Sequence, residues 1–334
     1  MQNEIQNKIL LLNHKGHLNV KGYSKRMNFI YNKAKVRSFP LKLKEWNFYQ
    51  FIKDKYVLQL TIGHVSYMCN IAITLINIET DERKSFSIMK PFFKPKLDIN
   101  PEDESLVEYK DKNNKIIFNT KENKRLLYFK GNNKEFKNIE VSIEIENDIN
   151  NEKMVIATPF KKKKQFYLNY KENYYFVNGY VMFDELKVDF NNSQGLIDWG
   201  RGVWPYKHEW FWGNLTSFIN NVPFGFNIGW GFGNLEYATE NMFFYNKKAY
   251  KLDKLIVNRD ELNYLNPWII YDKEKTFYVE FDPIYNNYTQ NKYIIIDTHC
   301  NQLFGKFSGY IILDDKKIEF KNILAFIEHA VNKW

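Results

Sequence analysis

The chain has 334 residues, of which 44% are hydrophobic, 18% aromatic and 26% charged. This composition excludes intrinsic disorder, which needs low hydrophobicity and high charge. A single hydrophobic core usually stops growing at roughly 250–300 residues, so we expect two core-forming halves. The formal net charge of +9 suggests an anionic partner, but no nucleic-acid recognition motif accompanies it. We therefore expect no nucleic-acid partner.

The two cysteines, Cys69 and Cys300, have no CxxC spacing, which fits a reducing compartment. The six histidines show no HxH or HExxH spacing, and no glycine motif fits a phosphate or dinucleotide site, so we predict no metal and no cofactor. The N-terminal sequence does not resemble a signal peptide. No apolar run approaches the ~20 residues of a membrane-spanning helix. These features predict a cytoplasmic protein without a transmembrane segment.

Most of the chain has a hydrophobic period of two, which is typical of β-strands. The first clear examples are YVLQLTIGHV, residues 56–65, and NIAITLINIET, residues 70–80. Clusters of Asn, Asp, Gly and Lys separate the runs at intervals of about a dozen residues, a spacing that indicates meandering antiparallel sheets. Further runs are KNIEVSIEIEN, EKMVIATPF, KQFYLNYK, NYYFVNGYVMF, KAYKLDKLIV, KTFYVEFDPIY, KYIIIDT and FSGYIILDD.

Helical spacing is clearest at the end of the chain, where apolar residues follow the pattern i, i+3, i+4, i+7. The residues of this pattern are Ile323, Phe326, Ile327, Ala330, Val331 and Trp334. We therefore predict an all-β fold of two tandem antiparallel β-barrels or half-barrels with a short C-terminal helix. The predicted N-terminal barrel covers residues 1–190 and the C-terminal barrel residues 191–334.

The segment GLIDWGRGVWPYKHEWFWGNLTSF, residues 195–218, combines large aromatic and charged residues. Trp204 and Tyr206 are two residues apart, as are Trp210 and Trp212, so each pair shares one face of an extended segment. Among these rings, a carboxylate and a guanidinium form a strong ion pair. The charged residues and the neighbouring ring of this predicted ligand site are Asp198, Trp199, Arg201 and Glu209. An equally weighted alternative is that Asp198 and Arg201 only close a barrel and that the tryptophans are core.

The next segment, PFGFNIGWGFGNLEYATEN, residues 223–241, places glycines two residues apart between large apolar residues. This pattern suits a bent strand whose bare face approaches a neighbour or a ligand. Asn227 and Trp230 are predicted to line the pocket, with Asn241 beside them. Glu240 could form a carboxylate pair with Asp198 for acid–base chemistry.

Several of these motifs resemble a bacterial family known as domain of unknown function 2804. The shared pattern includes GLIDWGRGVWPY, then WFWG, ATEN and NQLFGKFSGY, with a closing EH and Trp. The N-terminal half agrees through LLNHKGHLNVKGYSKR, YNKAKVR and LKEWNFYQF. Its matching positions are Gly16, Gly22, Tyr23, Lys44, Glu45 and Trp46. The motif around Gln302 departs from the pattern, because Asn301 stands where the family leads us to expect a histidine.

The family has no assigned activity, and its pattern more distantly resembles the lipocalin-like superfamily of carotenoid hydratase, tocopherol cyclase and Diels–Alderase-type proteins. That resemblance implies two lipocalin-like barrels with a cavity within or between them. Fold similarity does not transfer function. Gln302 is included among the expected ligand-binding residues.

Three functions remain open from the sequence. The first is a cofactor-independent hydratase, isomerase or cyclase acting on an apolar or amphipathic small molecule, with Asp198 as acid or base, Arg201 as its orienter and the tryptophans as walls. The second is a carrier that holds a lipid-like ligand without chemistry. The third is carbohydrate recognition or hydrolysis, which needs two suitably spaced carboxylates. The oligomeric state does not follow from the sequence.

Overall fold

A computed structural model describes residues 2–292 and 296–334 of the chain. Part of one predicted strand run, KYIIIDT, lies outside the described residues. The described part is built almost entirely of β-strands, with one short 3-10 helix at Lys33–Lys35. No helix within it is long and apolar enough to cross a membrane.

The first fifteen strands include all strands of the first sheet. They are β1 Ile9–Leu10, β2 Gly22–Ser24, β3 Phe29–Ile30, β4 Leu43–Lys53, β5 Tyr56–His64, β6 Met68–Asn77, β7 Glu82–Pro91, β8 Ser105–Lys110, β9 Lys115–Lys121, β10 Lys124–Gly131, β11 Ile139–Glu146, β12 Met154–Pro159, β13 Phe166–Phe183, β14 Leu186–Asp189 and β15 Ser193–Val203. The remaining strands are β16 Lys207–Ile219, β17 Val222–Trp230, β18 Met242–Tyr245, β19 Lys248–Lys251, β20 Leu255–Asn258, β21 Trp268–Asp272, β22 Phe277–Lys292, β23 Asp297–Leu313 and β24 Lys316–Lys333.

The strands form two large antiparallel sheets, each curled into a half-barrel. The first has the order β7-β6-β5-β4-β15-β13-β11-β10-β9-β8, with β12 and β14 pairing with β13 and β2 pairing with β12. The second has the order β19-β18-β17-β16-β24-β23-β22-β21-β20. The prediction of an all-β fold with two half-barrels is therefore confirmed.

Tight turns with left-handed backbone conformations close several of the hairpins. Asn220 and Asn221, between β16 and β17, have φ angles of 50° and 64°. Asp314 and Asp315 adopt the same region between β23 and β24. Asn and Asp tolerate positive φ better than other non-glycine residues, and two-residue hairpin turns of this type match the strand twist. The Asn and Asp clusters in the sequence therefore mark real turns.

Each half-barrel encloses its own hydrophobic core, and a third cluster joins the two halves. We call this contact face the seam. It buries side chains from both sheets: Val57, Ile76, Ile78, Leu196, Trp212, Phe304 and Phe326. The two sheets pack face to face here, so the strands at the seam are buried on both faces over part of their length. Consecutive buried residues occupy 165–175 in and before β13, 195–204 in and after β15, 212–215 in β16, 224–229 in β17, 302–305 in β23 and 325–327 in β24.

The predicted C-terminal helix is wrong, because residues 316–333 form the long strand β24. Phe326 and Leu324 belong to the seam, whereas Ile327 and Ala325 belong to the core of the second half-barrel. Apolar residues thus occupy both faces of the strand. A strand buried on both faces reads as a continuous apolar run, which also satisfies helical spacing.

The strand pairing also changes sheets later than the predicted boundary at residue 190. Strand β15, which carries Asp198 and Arg201, pairs with β4 and β13 of the first sheet. The second sheet begins with β16 at Lys207. The motif DWGRGVWPY, residues 198–206, therefore covers the end of β15 and the connection that leads to the second half-barrel.

Candidate functional site

A cavity of about 260 Å³ opens at the seam between the two half-barrels. Most of its wall is aromatic, and four ionisable side chains lie among the rings. The ionisable lining residues are Lys171, Asp198, Glu240 and Glu328. The other principal lining residues are Trp46, Phe48, Thr61, Tyr167, Trp204, Trp210, Phe211, Trp212, Trp230, Phe232, Gln302 and Trp334. The cavity is therefore built by both halves.

Strand register places the first-half residues on one face. Asp198 of β15 lies opposite Phe48 of β4 and Lys171 of β13. Side chains directly opposite each other in adjacent strands project to the same side of the sheet. All three therefore face the seam and line the cavity.

In the second half, residues of adjacent strands likewise lie opposite one another and line the cavity. Trp212 of β16 lies opposite Glu328 of β24 and Gly229 of β17. Glu328 in turn lies opposite Gln302 of β23. The absence of a side chain at Gly229 makes room for Glu240, because a Cβ there would lie 3.1 Å from Glu240 Oε2.

Asp198 is the carboxylate of the first-half wall, and it is 9% exposed. The indole Nε1 of Trp46 donates a hydrogen bond of 3.2 Å to Asp198 Oδ2, and Asn169 Nδ2 donates to Oδ1. Burial raises the pKa of Asp198 above its ordinary value, and the charge of Glu240 adds to this rise. The positive charge of Lys171 and the two hydrogen bonds oppose it.

Glu328 is the corresponding carboxylate of the second-half wall. The indole Nε1 of Trp210 donates a 2.8 Å hydrogen bond to Glu328 Oε1, and Gln302 Nε2 donates one of 3.3 Å to Oε2. Burial raises the pKa of Glu328 to about 7, and the charge of Asp198 contributes to the rise. Glu328 therefore exists in protonated and ionised forms near neutral pH.

Lys171 and Glu240 form a buried ion pair in the same cavity wall. Lys171 Nζ donates a 2.8 Å hydrogen bond to Glu240 Oε2 and lies 4.2 Å from the centroid of the Trp212 ring. Trp212 Nε1 donates to Asn227 Oδ1 at 2.7 Å, and Asn227 Nδ2 donates to the Glu240 carbonyl at 2.8 Å. These contacts fix the ammonium, the ring and the carboxylate relative to one another.

The aromatic wall is a network of ring contacts that continues across the seam. Trp46 stacks on Tyr167 with ring centroids 5.9 Å apart and meets Trp204 edge to face at 5.4 Å. Phe232 packs edge to face against Trp204 at 5.6 Å and Trp210 at 5.5 Å. Such faces attract positive charge through their quadrupoles. The wall therefore suits an apolar molecule or one that develops positive charge.

His208 supports this wall in its neutral form. Trp204 Nε1 donates a 3.2 Å hydrogen bond to His208 Nε2, so the proton resides on Nδ1, which donates to the Pro205 carbonyl at 2.9 Å. Burial lowers the pKa of His208 to about 4, in agreement with this tautomer. The histidine fixes the position of Trp204 and does not line the cavity.

Arg201 does not contact Asp198, contrary to the predicted ion pair. The two residues are three positions apart on β15, an odd number, so their side chains project from opposite faces of the sheet. Arg201 is fully buried inside the first half-barrel, where Nη2 lies 3.2 Å from Asp98 Oδ1 and the guanidinium lies 3.9 Å from the Trp199 ring centroid. Trp199 Nε1 donates to Asp98 Oδ2 at 3.0 Å. Arg201 and Trp199 are therefore parts of the barrel interior.

The remaining predicted residues divide into lining and supporting positions. The structure brings Asp198, Trp204, Trp210, Trp212, Trp230, Glu240 and Gln302 together around the cavity. Tyr206 is half exposed and Glu209 is exposed, and neither lines it. Asn227 lies behind Trp212, and Asn241 Oδ1 accepts a 2.8 Å hydrogen bond from the Gly229 N–H.

Sequence reasoning missed four principal cavity residues: Trp46, Tyr167, Lys171 and Glu328. Two of them carried a signal. Lys171 interrupts an aromatic-rich strand, and Glu328 interrupts the apolar C-terminal run. A charged residue inside a run that is buried on both faces needs a partner or a function.

The donors around the cavity carboxylates are indole, amide and ammonium N–H groups, which serve anions and not cations. Within residues 2–292 and 296–334, no group of three or more His, Cys, Asp or Glu side chains is placed to hold a metal ion. The carboxyl groups can exchange protons with a molecule that is held against the aromatic rings.

Comparison with curated proteins finds no match. Two solved structures are distantly similar. Kievitone hydratase from Nectria haematococca is 10% identical with a TM-score of 0.49, and the similarity covers 97% of this chain and 97% of that chain. A Nitrosomonas europaea protein described as a candidate ATTH (NE1406) is 8% identical with a TM-score of 0.48, covering 89% of this chain and 98% of that chain.

The sequence itself matches one family over nearly its whole length. The model of the family described as domain of unknown function (DUF2804) covers residues 2–334. This range includes both half-barrels and every residue that lines the seam cavity. The resemblance inferred from the aromatic and glycine motifs is confirmed, and the chain belongs to the DUF2804 family.

Proposed function

We propose that the protein binds a small apolar or amphipathic molecule in the seam cavity and catalyses proton transfer on it without a cofactor, as a hydratase, isomerase or cyclase. The observation that carries the proposal is the pair formed by Asp198 and Glu328. The two half-barrels each contribute one carboxyl group, and each group is held by one tryptophan N–H and one carboxamide N–H. General acid–base catalysis works best with groups whose pKa lies near the working pH.

The roles follow from the local charges. Glu328, with a pKa raised to about 7, is the general acid. Asp198 is assigned as the general base, because Lys171, Asn169 and Trp46 stabilise its ionised form against the burial that raises its pKa. Lys171 and Glu240 hold this arrangement by their ion pair.

In a hydration, the Glu328 carboxylic acid gives its proton to one carbon of a C=C bond, and the π electrons form the new C–H bond. The second carbon becomes cationic next to the tryptophan faces, which lower the energy of the cation. Water adds its oxygen to that carbon and gives a proton to the Asp198 carboxylate. The net change is addition of H and OH, and return of a proton from Asp198 to Glu328 restores both groups.

The same two groups serve the other two reactions. Loss of a proton from the neighbouring carbon to Asp198 gives an isomer, and attack by a group of the substrate itself gives a ring. Burying several ionisable groups costs free energy. A carrier of an apolar ligand has no use for that cost, so the site favours the enzyme over the carrier.

Native mass spectrometry of the purified protein, followed by extraction and identification of any bound molecule, provides the ligand class. That molecule is then incubated in D₂O with the wild type, Asp198→Asn, Glu328→Gln and, as control, Glu209→Gln, whose side chain is exposed and outside the cavity. We expect product with deuterium on carbon from the wild type and the control. We expect a loss of about 100-fold or more in rate from the other two, as is typical for removal of a general acid or base.

A bound molecule that is recovered unchanged and without deuterium from the wild type contradicts the enzyme and supports the carrier. A sugar in the extract supports the carbohydrate alternative instead.

A further inference from the structure

Tyr167 contributes a hydroxyl group to the cavity for which the protein supplies no partner. The residue is 5% exposed and lines the cavity. Among the described residues, none forms a hydrogen bond with the Tyr167 hydroxyl. Tyrosine hydroxyls in protein interiors normally have a hydrogen-bond partner, so a ligand that fills the cavity and displaces its water must supply one to Tyr167.

The ring of Tyr167 is fixed, so the hydroxyl cannot turn away to find a partner elsewhere. Tyr167 lies opposite Gly202 of β15, which places its side chain on the seam face. Trp46 stacks on one side at 5.9 Å, and Trp204 and Phe232 meet the ring edge to face at 5.8 and 4.9 Å. The hydroxyl position is therefore set before any ligand enters.

The electrostatic surroundings locate the hydroxyl and keep it protonated. Burial raises the pKa of Tyr167 well above its ordinary value, and the charges of Asp198, Glu240 and Glu328 add to the rise. All three carboxyl groups line the cavity. The Tyr167 hydroxyl is therefore a neutral donor that faces the same space as the proposed acid and base.

Four indole donors of the wall are already used within the protein, with Trp204 donating to His208. Trp46 donates to Asp198, Trp210 to Glu328 and Trp212 to Asn227. The Nε1 atom of Trp334 has no hydrogen-bond partner in the described part of the chain, but this atom is buried. A ligand oxygen in the cavity thus meets an uncommitted donor at Tyr167.

We propose that Tyr167 donates a hydrogen bond to an oxygen atom of the ligand, so that the molecule taken by the cavity carries a carbonyl or ether-type acceptor on an otherwise apolar skeleton. The inference rests on the proposed function, because it assumes that the seam cavity takes an apolar or amphipathic molecule. In this proposal Tyr167 orients the ligand, because it holds the acceptor oxygen while the reacting carbons lie between Asp198 and Glu328.

The test uses two probes of the same bicyclic skeleton, 1-indanone and indane, which differ by one carbonyl group. Their affinities are measured by calorimetry for the wild type, Tyr167→Phe and the control Tyr180→Phe. Tyr180 lies on the same strand, but its hydroxyl donates to Glu140 away from the cavity. Measurement at pH 8.5, above the pKa of Glu328, leaves that carboxyl ionised and unable to donate. The infrared C=O stretch of bound 1-indanone is recorded in parallel.

We expect Tyr167→Phe to weaken 1-indanone binding about fivefold, the value of one hydrogen bond of about 1 kcal/mol. Indane binding stays unchanged, and the C=O stretch moves to the higher frequency of an unbonded carbonyl only in Tyr167→Phe. Equal affinity and an equal C=O stretch in all three proteins overturn the inference for Tyr167 alone. Absence of indane binding to the wild type overturns the proposed apolar site itself, and the inference with it.

Discussion

Asp198 and Glu328 show how the surroundings of a carboxyl group raise its pKa. Each carboxyl group is held by an indole and a carboxamide, and each lines the cavity among tryptophan rings. Desolvation disfavours the charged form of both groups. The charge of Glu240 adds to the rise in the pKa of Asp198, and the charge of Asp198 adds to the rise in the pKa of Glu328. The raised pKa values therefore arise from the cavity, which buries three carboxyl groups together.

The raised pKa of Glu328 predicts a pH dependence of stability. The pKa rises from 4.5 to about 7 on folding, so the folded state binds this proton more tightly than the unfolded state. The resulting stabilisation is complete below pH 4.5 and is lost as the pH rises through about 7. Glu328→Gln removes this dependence, which we expect to amount to about 1–3 kcal/mol between pH 5 and 8.

Urea unfolding of the wild type and Glu328→Gln at a series of pH values measures this difference. Glu108→Gln, at an exposed position away from the cavity, serves as control and keeps the wild-type slope. Asp198→Asn lowers the pKa of Glu328, because it removes a negative charge, and this shift is measured by carbon NMR of the Glu328 carboxyl group. A difference between wild type and Glu328→Gln that does not change with pH contradicts the prediction.

At the scale of the element, side chains along β15 alternate between the two faces of the sheet and thereby divide the motif DWGRGV between the cavity and the barrel interior. Its even-numbered positions Asp198, Gly200 and Gly202 face the seam, and its odd-numbered positions Trp199 and Arg201 face the barrel interior. The glycines leave space that larger neighbours occupy. A Cβ at Gly200 would lie 2.2 Å from Trp46 Cζ2 and 2.4 Å from Cε2. The indole of Trp46 therefore lies flat over Gly200, in position to donate to Asp198.

Gly200→Ala is expected to displace Trp46 and to break its hydrogen bond with Asp198. Overpacking of this kind costs about 1–3 kcal/mol of the free energy of unfolding. The pKa of Asp198 rises further, because the Trp46 N–H stabilises the ionised form. Urea unfolding and carbon NMR of the Asp198 carboxyl group measure the two effects.

The matched variant is Gly213→Ala, where a Cβ meets nothing closer than 3.1 Å and requires shifts of a few tenths of an ångström from Ile228, Ile327 and the Phe326 carbonyl. We expect a smaller loss of stability from it and no change at Asp198. An unchanged pKa of Asp198 in Gly200→Ala would show that Gly200 does not determine the position of the Trp46 indole.

Periodicity and turn chemistry were sufficient to predict the antiparallel sheets, since strands and hairpins are local features. They could not assign β24, because a strand with apolar residues on both faces also fits helical spacing. The site was predicted where its residues are close in sequence, as with Trp210 and Trp212. Trp46, Lys171 and Glu328 join it from three other strands, and that meeting depends on the pairing of β4, β13 and β24, which one sequence does not reveal.

At the scale of the whole molecule, the seam is both the site and the structural joint. It buries large side chains from both halves, among them Leu196 and Phe304. It also contains polar contacts between them, such as the 2.9 Å hydrogen bond from Asn214 Nδ2 to Asn173 Oδ1 and the 2.8 Å bond from Gln59 Nε2 to Gln302 Oε1. Neither half-barrel can leave the other without exposing apolar surface and unpaired polar groups.

We therefore predict that the two half-barrels unfold together in one calorimetric transition. Phe304→Ala in the seam and Phe281→Ala in the core of the second half each remove a fully buried ring and cost about 3–5 kcal/mol. Both variants should lower the temperature of the whole transition, because the seam couples the halves. Two resolved transitions, with Phe281→Ala shifting only one of them, would show that the halves are thermodynamically independent. In that case the positions of Asp198 and Glu328 relative to each other would depend on docking of the halves and not on a single cooperative fold.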